Sequence, residues 1–278
     1  MLYCHPTLSH LSGNEETYDR AAVKPANAST AETTLGGKPC FHALLDALNP
    51  LPTQDPLQLM PGVGGVFIVH YSRLTRRKEA LRSELAKCGM ADAVIWVDWI
   101  DSEFIKALDV QQHRCLFSER MMAVGKNDFG VQALMLAHFW VHYYVMLRGL
   151  TNVIIMEDDA YFCAAETLNS SVAELLAEVR TLDPNYSIVQ LSGCPCGWPL
   201  RKPHPASRKT SHIFGPGFPN RCTGGYLLSL KGATALVQQQ LMRRLNRPSD
   251  HQLDLIGTET SYWRWPYLWF QGCSSGER

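Results

Sequence analysis

A surplus of charge of one sign is missing: 26 Lys and Arg balance 26 Asp and Glu, for a formal net charge of zero. No broad basic field exists to draw in nucleic acid or an anionic membrane, so recognition has to be local. Also missing is an apolar run long enough to cross a bilayer. The most apolar stretch, Val131 to Leu147, holds 17 residues and carries Gln132, His138 and His142, which is short and wet for a span of about 20 residues. A buried helix is expected there instead. The nine cysteines are odd in number and irregularly spaced, without a CxxC pair and a matching second pair, so a zinc module is not indicated. His138 and His142 stand four apart, which is metal-ligand spacing, but no HExxH is present and the surroundings are apolar and aromatic, so core histidines bonded to backbone or to a loop are expected. The opening MLYCHPTLSH has neither a basic n-region nor an apolar h-region, so no secretory signal is expected and the chain reads as cytoplasmic, with the ER or Golgi lumen as the alternative. The sequons at Asn27, Asn169 and Asn185 matter only in the second case.

The 278 residues suit one large α/β domain with a short appendage. Residues 1–60 are rich in Ser, Thr, Pro, Asn and Ala with little periodicity apart from Phe41 to Leu48, and read as a poorly ordered N-terminal extension to a domain over 61–278. From Gly64 the texture changes. Strands are expected at Gly64–His70, Ala93–Val97, Asn152–Met156, Tyr186–Leu191, Gly224–Leu230 and Trp265–Gln271, with helices over Thr75–Cys88, Val131–Leu147, the stretch after Ala164 to Leu182, and Gly232–Leu245. Strands alternating with helices imply an α/β domain with a mostly parallel sheet flanked by helices. Gly193 to Asn220, dense in proline and glycine, reads as a long surface loop of the kind that serves as a lid.

Three consecutive acids, Glu157, Asp158 and Asp159, close the apolar run Val153-Ile154-Ile155-Met156. The carboxyl end of a strand is where open α/β sheets place ligands. Acids packed this closely repel one another and need protons or a cation, and hard oxygen ligands suit Mn²⁺ or Mg²⁺. A metal there suits the diphosphate of a nucleotide donor; a solvated turn is the alternative reading of the same triplet.

Six blocks in order extend the pattern over the chain. They are Phe67-Ile-Val-His-Tyr-Ser-Arg73-Leu-Thr75-Arg-Arg77; Ala137-His138, 19 residues before Glu157; the acidic triplet itself; Tyr186 to Gly193; Thr223-Gly-Gly-Tyr-Leu-Leu-Ser-Leu-Lys-Gly-Ala233; and Arg247-Pro-Ser-Asp250-His251 followed by Pro266 to Gln271. This order resembles glycosyltransferase family 25, which includes lipooligosaccharide and procollagen galactosyltransferases. The resemblance implies an A-type nucleotide-sugar transferase fold, Mn²⁺ or Mg²⁺, a UDP-sugar donor, most often UDP-galactose, a glycan or protein hydroxyl as acceptor, and inversion at the anomeric carbon. Arg73 and Arg77 either contact the donor or pair with an acid of the sheet edge, and the resemblance favours the donor contact for Arg73. On this reading Glu157 and Asp159 flank the metal, with Asp159 the direct ligand, and Asp158 meets the donor ribose or sugar.

Asp250 and His251 carry two readings. The resemblance makes Asp250 the base that takes the acceptor proton and His251 a further metal ligand; otherwise Asp250 caps a short helix beginning at His251. Two other functions stay open: a metal-dependent nucleotidyltransferase or phosphohydrolase, although Gly62-Val-Gly-Gly65 precedes its strand where a phosphate loop follows one, and a degenerate transferase that binds a glycan or partner without turnover, since His70, Ala133 and Leu134 depart from the family's pattern. The tail aromatics Trp263, Trp265 and Trp269 suit either sugar stacking or core packing.

Overall fold

The structure is a computed structural model describing residues 60–124, 128–193, 207–215, 223–256 and 258–271, with the backbone pairing of Thr34–Leu35 against Lys38–Pro39. Apart from that pairing and Met60, the expected extension over 1–60 lies outside the described residues. Met60 and Val63 are already buried in the core, so the folded domain has begun by residue 60.

Ten strands follow in chain order: β1 Gly65–Val69, β2 Ile95–Val97, β3 Val153–Glu157, β4 Ala160–Phe162, β5 Ile188–Gln190, β6 Ser192–Gly193, β7 Ile213–Phe214, β8 Gly225–Leu228, β9 Ser261–Arg264 and β10 Trp269–Gln271. The helices are α1 Thr75–Lys87, α2 Ser102–Ala107, α3 Val110–Leu116, α4 Glu119–Val124, α5 Phe129–Arg148, α6 Leu168–Leu182, α7 Leu230–Arg243 and α8 Ser249–Leu253. Seven strands make the main sheet in the order β2-β1-β3-β8-β5-β9-β7, and β4-β10-β6 form a smaller one. Within the main sheet β2, β1 and β3 are parallel, β8 opposes both of its neighbours, β9 runs with β5, and β7 opposes β9. Only β8 and β7 therefore run against the rest, and the mostly parallel α/β sheet expected from the sequence is what the chain adopts.

Strand alternation explains the layers. Phe67, Val69, Val153, Ile155, Tyr226 and Leu228 face one core with α5 and α7, while Val66, Ile68, Ile154, Met156 and Leu227 face the other with α1 and α6. Helix α5 is the expected buried helix. Asp128 caps its start by accepting from Val131 N at 3.1 Å, and Gly149, at φ 62°, ends it in a left-handed conformation that glycine adopts without a Cβ penalty. Among the described residues no helix is long and apolar enough to cross a membrane.

Three local expectations change. The strand expected over Trp265–Gln271 is shortened to β10, Trp269–Gln271, since Pro266 has no N–H to donate to a ladder, and a strand not expected, β9, precedes it at Ser261–Arg264. The loop from Gly193 to Asn220 contains the edge strand β7; its other parts, 194–206 and 216–220, lie outside the described residues. Short helices α2 and α3, capped by Asp101 and Asp109, fill the segment between β2 and α5. Their six and seven residues are too few to display a periodicity.

Candidate active site

The acidic triplet sits where β3, buried along its whole length, runs out of the sheet. Register places Glu157 opposite Val69, the last residue of β1, so the chain leaving β1 passes directly beside the acidic turn. That neighbour explains Asp158. Its Oδ2 meets His70 Nδ1 at 2.8 Å and accepts from the Tyr71 backbone N–H at 3.3 Å, while Arg77 Nη1 donates to Oδ1 at 3.3 Å. Asp158 thus braces the turn against β1 and α1.

Glu157 shares its facing with Val153 and Ile155, toward α5, and is equally engaged. Thr223 donates its hydroxyl to Oε1, Gln271 Nε2 donates to Oε2 at 2.8 Å, and His138 Nε2 stands 3.4 Å from Oε1, outside hydrogen-bonding geometry. Ser249 Oγ in turn lies 3.1 Å from Thr223 Oγ1, which ties α8 to the site.

Asp159 differs from both. Its Oδ1 is buried with no hydrogen-bond partner, and its carboxyl is pushed up to about 8 by burial first, then by the charges of Glu157 and Asp158, against a smaller opposing effect of Arg77. Two clefts open on it. One, of about 390 Å³, is lined by His70, Tyr71, Ile100, Ser102, Leu134 and the acidic turn. The other, of about 440 Å³, lies between α1 and β4.

Of the residues singled out from the sequence, the structure brings together Glu157, Asp158, Asp159 and Arg77. Arg73 instead points to solvent and pairs with Glu103 at 3.2 Å. Asp250 lies within the first turn of α8, which begins at Ser249 after Pro248, so it is not the cap residue; its Oδ1 accepts from the His251 backbone N–H. His251 is exposed, with Nε2 3.9 Å from Asp250 Oδ2, and neither residue lines the two clefts. Among the described residues no three His, Cys, Asp or Glu side chains stand close enough to hold a metal ion. The donor set fits a metal only through Asp159, whose unpartnered oxygen offers one ligand. Mg²⁺-type ions are commonly held that way, by one or two carboxylates together with substrate phosphates and water.

The residues not singled out are Thr223, Gln271, Ser249 and Tyr226. Tyr226 lies on β8, next to β3, facing α5, where its hydroxyl meets both His138 Nδ1 and His142 Nε2 at 2.8 Å. The two histidines are buried in the core, as expected, but their shared partner is a strand tyrosine and not backbone or a loop, and they lead to the site. His142 is pulled down to about 3 by burial and by His138, against a smaller opposing side-chain interaction with Gln240, and burial and Glu157 push the Tyr226 hydroxyl well up. A hydrogen on His138 Nε2 avoids setting a lone pair against the Glu157 carboxylate 3.4 Å away; His138 Nδ1 then accepts from Tyr226 O–H, and the Tyr226 oxygen accepts from His142 Nε2–H. Imidazole ¹⁵N spectra should therefore show the Nε2–H tautomer at both rings. Tyr226→Phe should cost about 2 kcal/mol in chemical denaturation, because two buried nitrogens lose their partner. An Nδ1–H tautomer at His138 would overturn the assignment. Since the His142 value lies below its ordinary 6.5, its contribution to stability is whole above that pH and is lost as pH falls toward 3.

No family profile and no curated protein matches this chain. Among solved structures it is similar to the apo form of mouse xyloside xylosyltransferase 1, at 14% identity over 69% of this chain and 81% of that one, with a TM-score of 0.35. It is also similar to a mannose-1-phosphate geranyltransferase from Thermus thermophilus, at 10% identity over 72% and 73% of the two chains, again with a TM-score of 0.35. Both of those proteins are transferases by description. At such scores the likeness carries no weight, and the sheet of this chain stands on its own strand order.

Proposed function

We propose that this chain is a divalent-cation-dependent glycosyltransferase of the A-type fold, moving a hexose from a UDP-sugar to a hydroxyl acceptor with inversion. Galactose is the hexose implied by the resemblance in motifs. The observation that carries the reading is the unequal use of the three acids: Glu157 and Asp158 are held by neighbours, and Asp159 alone keeps a buried, unpartnered oxygen, on a residue that lines two clefts. The first cleft suits the donor nucleoside, with Tyr71, Ile100 and Leu134 as apolar surface and Ser102 as a hydroxyl partner. Mn²⁺ or Mg²⁺ bound at Asp159 would neutralise charge on the diphosphate leaving group. Arg77, braced by Asp158, adds a fixed positive charge at the same place.

In the transfer, the acceptor oxygen bonds to the anomeric carbon as that carbon's bond to the diphosphate oxygen breaks. The electron pair leaves on the diphosphate, and the acceptor proton passes to a base. The resemblance in motifs makes Asp250 the candidate base; it lines neither cleft, and Ser249 beside it is linked through Thr223 to Glu157. Asp250→Asn should lower turnover by about two orders of magnitude while UDP affinity holds. A thermal shift with normal turnover would make Asp250 structural only. The function itself is tested by incubating the protein with a panel of UDP-sugars, with and without Mn²⁺. Mn²⁺-dependent release of UDP supports the proposal. Cleavage to UMP and sugar phosphate would indicate a nucleotidyltransferase or phosphohydrolase, and silence with every donor a degenerate binding protein.

A further inference from the structure

The cleft between α1 and β4 has no role in the reading above. Arg77, Ala80, Leu81 and Glu84 recur at helical spacing along one side of α1 and form one wall; Tyr161 on β4 stands on the other. This cleft shares with the donor cleft only Arg77, Asp158 and Asp159. Two molecules bound one in each would therefore meet at the Asp159 carboxylate, which is the arrangement that brings two reactants into one encounter.

We propose that the second cleft binds the acceptor, and that the acceptor there is a neutral saccharide; this rests on the reading of the chain as a glycosyltransferase. Tyr161 is 66% exposed. Of the large hydrophobic side chains that stand out in this way among the described residues, Val110, Leu147, Tyr161 and Met242, it is the one that borders either cleft at Asp159. Alternation along β4 accounts for its direction: Ala160 is buried and Phe162 packs edge-on against Trp269, with ring centroids 5.6 Å apart, so Tyr161 points away from the core. An exposed aromatic face at a cleft suits the apolar C–H face of a sugar ring.

Charge narrows the class. Glu84 and Asp158 outnumber Arg77 in the cleft, and Arg77 is already paired with Asp158. A phosphorylated or carboxylated acceptor finds no unpaired cationic side chain in the lining of this cleft, whereas sugar hydroxyls can donate to Glu84 and exchange hydrogen bonds with Ser83.

The test is saturation-transfer NMR on the full chain with free galactose, glucose, xylose and N-acetylglucosamine, and with galactose 1-phosphate as the anionic probe. At least one neutral sugar should bind in the millimolar range, and Tyr161→Ala should weaken it about tenfold or more, with an unchanged melting profile. UDP titrated with Mn²⁺ in parallel separates the two claims. If UDP fails to bind while Tyr161-dependent sugar binding persists, the donor reading falls and the saccharide site stands. Sugar binding that Tyr161→Ala leaves intact, a preference for galactose 1-phosphate, or no binding of any neutral sugar overturns the proposal.

Discussion

Asp159→Asn should lower Mn²⁺-dependent release of UDP from a UDP-hexose by about 10²- to 10³-fold or more, while the protein remains folded. Asparagine keeps the shape of the side chain and removes the charge. The same substitution at the other two acids would strip hydrogen-bond acceptors from Thr223, Gln271, His70 and Arg77 and confuse chemistry with structure. Asp159 carries no such burden on its Oδ1. Stability should respond in the opposite sense to activity. The Asp159 carboxyl is raised from 3.8 to about 8, so between those values the folded chain keeps a proton that the unfolded chain gives up. Its contribution is therefore whole at low pH and lost as pH rises toward 8. The melting temperature of Asp159→Asn should exceed that of the parent by an amount that grows from about pH 5 to about pH 8, and added Mn²⁺ should stabilise only the parent. Equal melting curves at every pH would contradict the burial and charge described for this group.

Gly225→Ala should be among the most damaging substitutions in the domain. A Cβ at Gly225 would sit inside the Trp269 indole, which is fully buried and donates Nε1–H to the Gly224 carbonyl at 2.9 Å. Neighbouring glycines show the same close approach: a Cβ at Gly224 would lie 2.8 Å from Gln271 Cβ, and one at Gly193 2.7 Å from Tyr267 Cδ2. These positions let β10 close onto the main sheet, and that closure is what brings Gln271 to Glu157. Overpacking against a rigid indole costs about 3 kcal/mol, which for a domain of this size lowers Tm by roughly 6–12 °C. Trp269→Phe on the Gly225→Ala background should recover part of the loss, since the smaller ring relieves the overlap. If Gly225→Ala melts like the parent, the approach of β10 to the sheet is looser than described.

The strand ending in Glu157-Asp158-Asp159 and the buried helix through His138 and His142 were legible because long apolar runs and an abrupt change to charge are local signals. Helical spacing likewise made α1 and α7 readable. What each acid does was not legible, since it depends on partners far away in the chain: His70 is 88 positions from Asp158, and Gln271 is 114 from Glu157. Strand order supplies the missing step. Glu157 faces α5 because it keeps the parity of Val153 and Ile155, and β8 brings Tyr226 beside the two histidines because it lies next to β3. Thr223 and Gln271 look like ordinary polar residues flanking strands until the sheet is assembled. Arg73 illustrates the converse, for its position in a motif does not turn it inward: just ahead of α1 it faces solvent and Glu103.

The most direct test of the central claim is calorimetric titration of UDP into the full chain with and without Mn²⁺, repeated with Asp159→Asn. The parent protein should bind UDP with a Kd on the order of micromolar only when Mn²⁺ is present, and Asp159→Asn should lose that binding. UDP affinity that is the same with and without Mn²⁺, or that survives Asp159→Asn unchanged, would contradict the assignment of Asp159 as the cation-holding centre of a nucleotide-sugar site.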